Sequence, residues 1–240
     1  MTFDWKVGDF SGLATRTDAD VPGADPAGPR VAIIDSGVHA AHPHVQRVHC
    51  GVGVDADGSL TDDFVDRLGH GTAVTAVIRE KAPAAEIVAI RVFDRELRAP
   101  GAALIAALHH ALSQQVHLIN LSLGTTNADH ATDLTAAIAM ARSRGAITVC
   151  AAPEPGYRWL PGALPGVIRV VADASVPRDT CRVTVEESGE VRIAASPYPR
   201  PIPGVPPERN LRGTSFAVAN ASGILARAWP DWPAWCRDAR

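Results

Sequence analysis

Short, wholly apolar runs alternate with stretches of helical periodicity from Val31 to Val171, and this alternation limits the fold more than any other feature of the chain. Val31-Ala32-Ile33-Ile34 has no polar residue to turn toward water, so a strand there must be covered on both faces. A helix follows from Gly69-His70-Gly71-Thr72 to about Arg79, broken by Lys81-Ala82-Pro83. Glu86–Val92 reads as the next buried strand, and a helix from Pro100 to Gln114 has proline in its first turn. The stripe of Leu104, Ala107, Leu108, Ala111 and Leu112 repeats at 3.6 residues and is core, with His109 and His110 at its surface edge. His117–Leu121 is a third strand, Asp133–Arg144 a helix closed by Gly145, and Ala146–Ala151 and Val167–Val171 two further strands. Strands separated by helices in this way build an α/β domain with a mostly parallel sheet.

The flanks are less regular. Residues 1–29 are rich in Asp, Gly and Pro without periodicity and read as an arm or loop, so the main domain spans 30–240. Residues 173–212 hold two short strands, Arg182–Val185 and Val191–Ala194, and a stiff surface loop, Pro197–Pro203. A chain of 240 residues suits one domain with a sizeable core. The net charge of -3 supplies no basic field, which argues against nucleic acid or an anionic membrane as a main partner. No apolar stretch is long enough to span a bilayer, and the N-terminal residues have no apolar signal core. Cys50, Cys150, Cys181 and Cys236 are widely spaced, as expected of reduced thiols in a cytoplasm.

Three polar positions fall where an α/β fold exposes chemistry. Asp35 closes the first strand, at the carboxyl edge where open sheets bind ligands, although alone it would pass for a turn or capping aspartate. His70 opens a helix between two glycines, which leave its imidazole uncrowded. Ser215, in Leu211-Arg212-Gly213-Thr214-Ser215-Phe216-Ala217, precedes an alanine-rich helix, where free N–H groups and the positive dipole end favour a developing anion. His39-x-x-His42-x-His44 has a ligand-like look, but Pro43 interrupts it and no carboxylate or thiolate is spaced with it, so a plain loop is the reading there.

Asp35, His70 and Ser215 stand in the chain order Asp…His…Ser, each beside or near glycine. Val31–Gly37 with His42-Pro43 resembles the aspartate motif of the subtilases, Gly69–Thr72 their histidine motif and Gly213–Ser215 their serine motif. Asn120-Leu121-Ser122-Leu123-Gly124 resembles the strand that lines their S1 pocket. The resemblance covers about Arg30 to Trp235 and implies a three-layer αβα fold around a mostly parallel sheet. It further implies that Ser215 is a nucleophile activated by His70, that Asp35 orients His70, and that Ser122, Leu123 and Gly124 hold a peptide as an added strand. No cofactor is implied. Calcium is not expected either, because no insertion separates His70 from Pro83 and Asp55–Asp66 reads as a solvated loop.

The chain departs from that family at several points. Aligned from Gly145, Ala151-Ala152-Pro153-Glu154 replaces the family's Ala-Ala-Gly-Asn, so Glu154 takes the place of the asparagine that donates to the oxyanion. Losing that donor costs about 10²–10³ in rate within the family. Three consequences are open: a protonated Glu154 that donates in its stead, a rearranged loop that leaves the Ser215 N–H as main donor, or lost catalysis in a retained peptide-binding scaffold. A register shift by Pro153 and Pro155 would instead make Glu154 a plain surface residue. Leu97-Arg98-Ala99 replaces the small Gly-Ser-Gly-type strand on the other side of the substrate, which implies restricted specificity. Ala219 stands where the family has proline after the serine, a change expected to shift the helix start. With few residues ahead of the domain, an inhibitory prodomain is not expected, and a partner polypeptide is a candidate substitute. The expected activity is that of an intracellular serine endopeptidase acting on a limited set of peptides or proteins, with precursor maturation as one such role.

Overall fold

In the computed structural model, which describes residues 1–6, 28–153, 156 and 159–237, the side chains of the first buried strand alternate between two separate cores. Val31 and Ile33 enter one, and Ala32 and Ile34 the other, and all four are fully buried. That is why the run carries no polar residue.

The elements run, in order, β1 (Thr2–Lys6), β2 (Arg30–Asp35), β3 (Cys50–Val54), β4 (Leu60–Thr61), α1 (His70–Lys81), β5 (Glu86–Arg91) and α2 (Gly101–Ser113). Then follow β6 (Leu118–Leu121), α3 (Ala131–Ser143), β7 (Ile147–Ala151), β8 (Ile168–Ala172), β9 (Thr180–Val185), β10 (Val191–Ala195), α4 (Thr214–Arg227) and α5 (Ala234–Arg237). They form one 10-stranded sheet in the order β1-β9-β10-β8-β7-β6-β2-β5-β3-β4. Pairing is parallel from β10 through β8, β7, β6, β2 and β5 to β3. It is antiparallel only at the edges, where β9 pairs β10 and β1, and β4 pairs β3. The core on one face packs under α1 and α4, and that on the other under α2 and α3. The fold is the three-layer α/β arrangement that the sequence implies.

Between β2 and β6 the chain reverses its direction of travel across the sheet. After β2 it winds outward through β3 and β5, then returns to lay β6 on the other side of β2. Such a switch point opens a crevice at the carboxyl ends of the two strands, and ligands bind there. α4 runs beneath that crevice with every residue from Phe216 to Ala226 buried. Its small residues permit close approach: a Cβ on Gly223 would come within 3.0 Å of the Lys81 side chain on α1.

Several elements differ from the sequence expectation. Part of the N-terminal arm is a strand, because Thr2–Lys6 pairs antiparallel with β9 and sends Trp5 into the core. Residues 7–27 of that arm lie outside the described residues. The strand Cys50–Val54 was not expected at all. Pro100 caps α2 in an extended conformation rather than sitting in its first turn, so its missing N–H costs nothing.

Candidate active site

The site is built from β2, α1, the segment after β6 and the start of α4. Asp35 is the last residue of β2, only 1% exposed. A carboxylate at that depth needs donors, and it has them. The Ser36 N–H and His70 Nδ1 lie 2.7 Å from Oδ1, and Ser122 Oγ donates to Oδ2 at 3.2 Å. With Nδ1 turned to Asp35, Nε2 is the ring nitrogen left for other work.

His70 opens α1 behind Gly69, whose φ of 79° is the left-handed conformation glycine tolerates. Gly71 is required for a different reason: a Cβ there would lie 2.1 Å from the Gly37 carbonyl oxygen. The first turn of α1 is therefore pressed against the loop after β2, which brings His70 to Asp35. Burial works against charging the imidazole, but the hydrogen bond and charge of Asp35, with the charge of Asp66, outweigh it and raise the His70 pKa above the ordinary value.

Asp66 organises the approach to His70 and was missed by the sequence reading, which placed it in a solvated loop. Its Oδ1 accepts from Ser36 Oγ and from the N–H groups of Leu68 and Gly69, at 2.8–2.9 Å. Its Oδ2 accepts from the Thr72 N–H at 2.8 Å and Thr72 Oγ1 at 2.6 Å. The signal was present in the spacing: an aspartate four residues before a helix-opening histidine can reach the free N–H groups of that helix. The rest of that loop is also tied down. Buried Arg91 donates to the Asp63 carbonyl at 2.7 Å and lies within 4 Å of the carboxylates of Asp55, Asp63 and Asp94.

Ser215 is the second residue of α4, so its N–H is one of the four that a helix leaves unpaired. The helix start is held from outside. Gly213 N–H donates to the Pro197 carbonyl at 3.0 Å, and the buried Asn220 amide donates to the carbonyls of Ser196 and Tyr198 at 2.8 and 3.0 Å. Asn220 thus fixes the proline-rich segment, and the segment fixes the turn before Ser215. Phe216 packs near the His70 ring, with centroids 5.9 Å apart.

His70 and Ser215 line one cavity of about 320 Å³. Its other walls include Ser122, Leu123 and Gly124 on one side and Leu97, Arg98 and Ala99 on the other, so the substrate-contact residues expected from sequence are brought together. The ladders of β6 with β2 and β7 both stop at Leu121, and Ser122–Gly124 continue beyond them along the cavity. Trp159 adds a wall that the sequence did not announce. It is placed by the antiparallel bridge of Thr125 with Leu160, two hydrogen bonds of 2.8 Å. Glu154 lies outside the described residues.

His39, His42 and His44 lie on the loop after β2, where His42 and His44 stack edge to face at 5.2 Å. Among the described residues no group of three or more His, Cys, Asp or Glu side chains is arranged to hold a metal ion. Among the same residues no helix is long and apolar enough to cross a membrane.

Comparison with known proteins identifies the family. The chain is 28% identical over 228 residues to the thermostable alkaline protease of Halalkalibacterium halodurans, covering 87% of this chain and 58% of that protein. It therefore spans little more than half the length of that relative. It is 28% identical over 227 residues to thermitase of Thermoactinomyces vulgaris, covering 85% of this chain and 76% of the relative. Among solved structures, a mutant of the protease domain of PatA matches with a TM-score of 0.62 at 26% identity, over 85% of this chain and 81% of that one. The profile of the subtilase family matches residues 27–171, and the chain belongs to that family.

Proposed function

We propose that the protein is a serine endopeptidase in which Ser215 attacks the scissile carbonyl, His70 takes its proton and later returns it to the leaving amine, and Asp35 holds His70 in the required tautomer. The Ser215 N–H, unpaired at the start of α4, donates to the oxyanion. The observation that carries the reading is the 2.7 Å contact of Asp35 with His70, on a cavity whose wall also holds Ser215. Ser122–Gly124 bind the acyl side of the peptide as an added strand. Leu97, Arg98 and Trp159 narrow the cavity around it, which supports cleavage of a limited set of peptides rather than general degradation. Precursor maturation inside the cell is the role proposed for such restricted cleavage. A partner polypeptide in place of a prodomain belongs to the same proposal.

Labelling with a fluorophosphonate probe tests the reading. Wild type is expected to label on one serine, and Ser215→Ala not at all, with both proteins folded. Failure of folded wild type to label overturns the peptidase reading and favours the peptide-binding scaffold.

A further inference from the structure

The end of the sheet opposite the proposed reaction centre holds a separate cavity, of about 280 Å³. β2, β6, β7 and β8 run parallel, so Asp35 and Ser122 stand at the carboxyl edge of the sheet. Ile147 and Ile168, the first residues of β7 and β8, line this cavity at the amino edge. A strand of five residues such as β7 is about 16 Å long, and no residue lines both this cavity and the one with His70 and Ser215.

Two indoles form part of its wall, and both are held in place. Trp232 is buried and donates from Nε1 to the Leu225 carbonyl at 2.8 Å, while Trp229 packs against the His117 ring with centroids 4.6 Å apart. Two exposed arginines complete the wall, Arg142 from the last turn of α3 and Arg237 from the end of α5. Arg142 lies across Gly166, where a Cβ would fall 2.7 Å from its Cδ. Among the described residues neither guanidinium has a carboxylate partner, and none of those lining the cavity is acidic. Thr148, also on the wall, is buried, and its hydroxyl has no hydrogen-bond partner among the described residues. Buried groups left in that state are uncommon and point to a partner that the chain does not supply. Fixed aromatic faces beside uncompensated positive charge match a flat apolar body that carries an anion. The volume, near the lower end of the roughly 300–1,000 Å³ usual for ligand pockets, suits one ring with its carboxylate.

We propose that this cavity binds a small free aromatic carboxylate, its ring against Trp229 and Trp232 and its charge between Arg142 and Arg237. The site is independent of the chemistry at Ser215. Calorimetric titration with phenylacetate tests it, beside phenylacetamide, which keeps the shape and loses the charge. Phenylacetate is expected to bind with a Kd of about 1 mM or below, within reach of a ligand of this size. It is expected to bind at least about fivefold more tightly than the amide, by an advantage that shrinks as salt is added. Arg142→Gln and Arg237→Gln, both exposed substitutions, are each expected to weaken phenylacetate about two- to fivefold, the effect of one exposed charge contact. Neither is expected to change Tm or the binding of the amide. Binding that survives the two substitutions together overturns the proposal, because the ligand then lies elsewhere. Equal affinity for acid and amide also overturns it, as does folded wild type that binds neither at about 10 mM. Tighter binding of N-acetylglycylphenylalanine than of phenylacetate overturns the assignment to a free acid and gives the cavity to a peptide chain end.

Discussion

Ser36 Oγ donates to Asp66 Oδ1 at 2.9 Å while accepting the Gly71 N–H at 2.9 Å, so one hydroxyl ties the residue after Asp35 to the residue after His70. The two members of the proposed charge pair are thereby braced through neighbours as well as by their own contact. Asp66→Ala would leave the donors of Ser36, Leu68, Gly69 and Thr72 without their acceptor. Leu68 and Gly69 are exposed and can turn to water, whereas a donor stranded away from water, as at Ser36 and Thr72, costs up to about 1–3 kcal/mol. The expected outcome is a clear drop in Tm, together with slower fluorophosphonate labelling. Asp66→Asn keeps an acceptor oxygen and is expected to lose less of both.

The same carboxylate gives a pH signature. Burial opposes its charge, but hydrogen bonds from Thr72, Leu68 and Ser36 prevail and hold its pKa below the ordinary range. A depressed folded-state pKa contributes stability above the unfolded value of about 4, and that stability is lost as pH falls through the folded value. Wild type is therefore expected to lose Tm below about pH 4 more steeply than Asp66→Asn, which thermal melts across pH 2–6 would measure. Parallel curves for the two proteins would contradict this role.

His70 sets the opposite limit. A general base must be neutral, and Asp35 and Asp66 raise the His70 pKa above the ordinary imidazole value despite burial. Labelling of Ser215 is expected to rise with pH through a midpoint above about 6.5. Asp66→Asn removes one of the charges that raise it and is expected to move the midpoint downward. Asp35→Asn is expected to cost about 10⁴ in rate, because the imidazole loses the partner that fixes its tautomer.

Gly124 separates substrate binding from nucleophile activation. A Cβ at this position would lie 2.2 Å from Trp159 Nε1 and 2.3 Å from the Leu160 carbonyl oxygen, so the wall of the cavity must move. Gly124→Ala is expected to lower kcat/KM for peptides at least tenfold, the effect of a displaced substrate strand. Labelling by a small fluorophosphonate, which does not need that strand, is expected to fall much less. Equal losses in both assays would place the damage at Ser215 instead.

The polar constellation was legible because each member is a short word in the sequence placed at a strand end or helix start. Asp35, His70, Ser122 and Ser215 all sit where those words predict. The parallel strands were legible too, since burial on both faces leaves runs such as Val31–Ile34 with no polar residue. β3 was not, because Gly51 and Gly53 interrupt its apolar pattern. The reason for one of them is tertiary: a Cβ on Gly51 would fall 2.4 Å from the Phe64 ring. Asp66 and Trp159 escaped for a related reason. Their roles depend on what the fold brings near them, namely Ser36 across 30 residues and Thr125 through the adjoining Leu160, rather than on local pattern.

The departure at Glu154 gives the last prediction. An ionised carboxylate at the position of the family's asparagine opposes a developing oxyanion, whereas an amide donates to it. At pH 8 Glu154→Asn is expected to accelerate Ser215 labelling by about 10²-fold, the lower end of what such a donor contributes. At pH 5 the gain is expected to shrink, because a protonated carboxyl donates in place of the amide. The ratio of variant to wild-type rates across this range therefore reads the protonation of Glu154 directly. A ratio that stays near one at both ends would mean that Glu154 stands away from the oxyanion, leaving the Ser215 N–H to carry that charge.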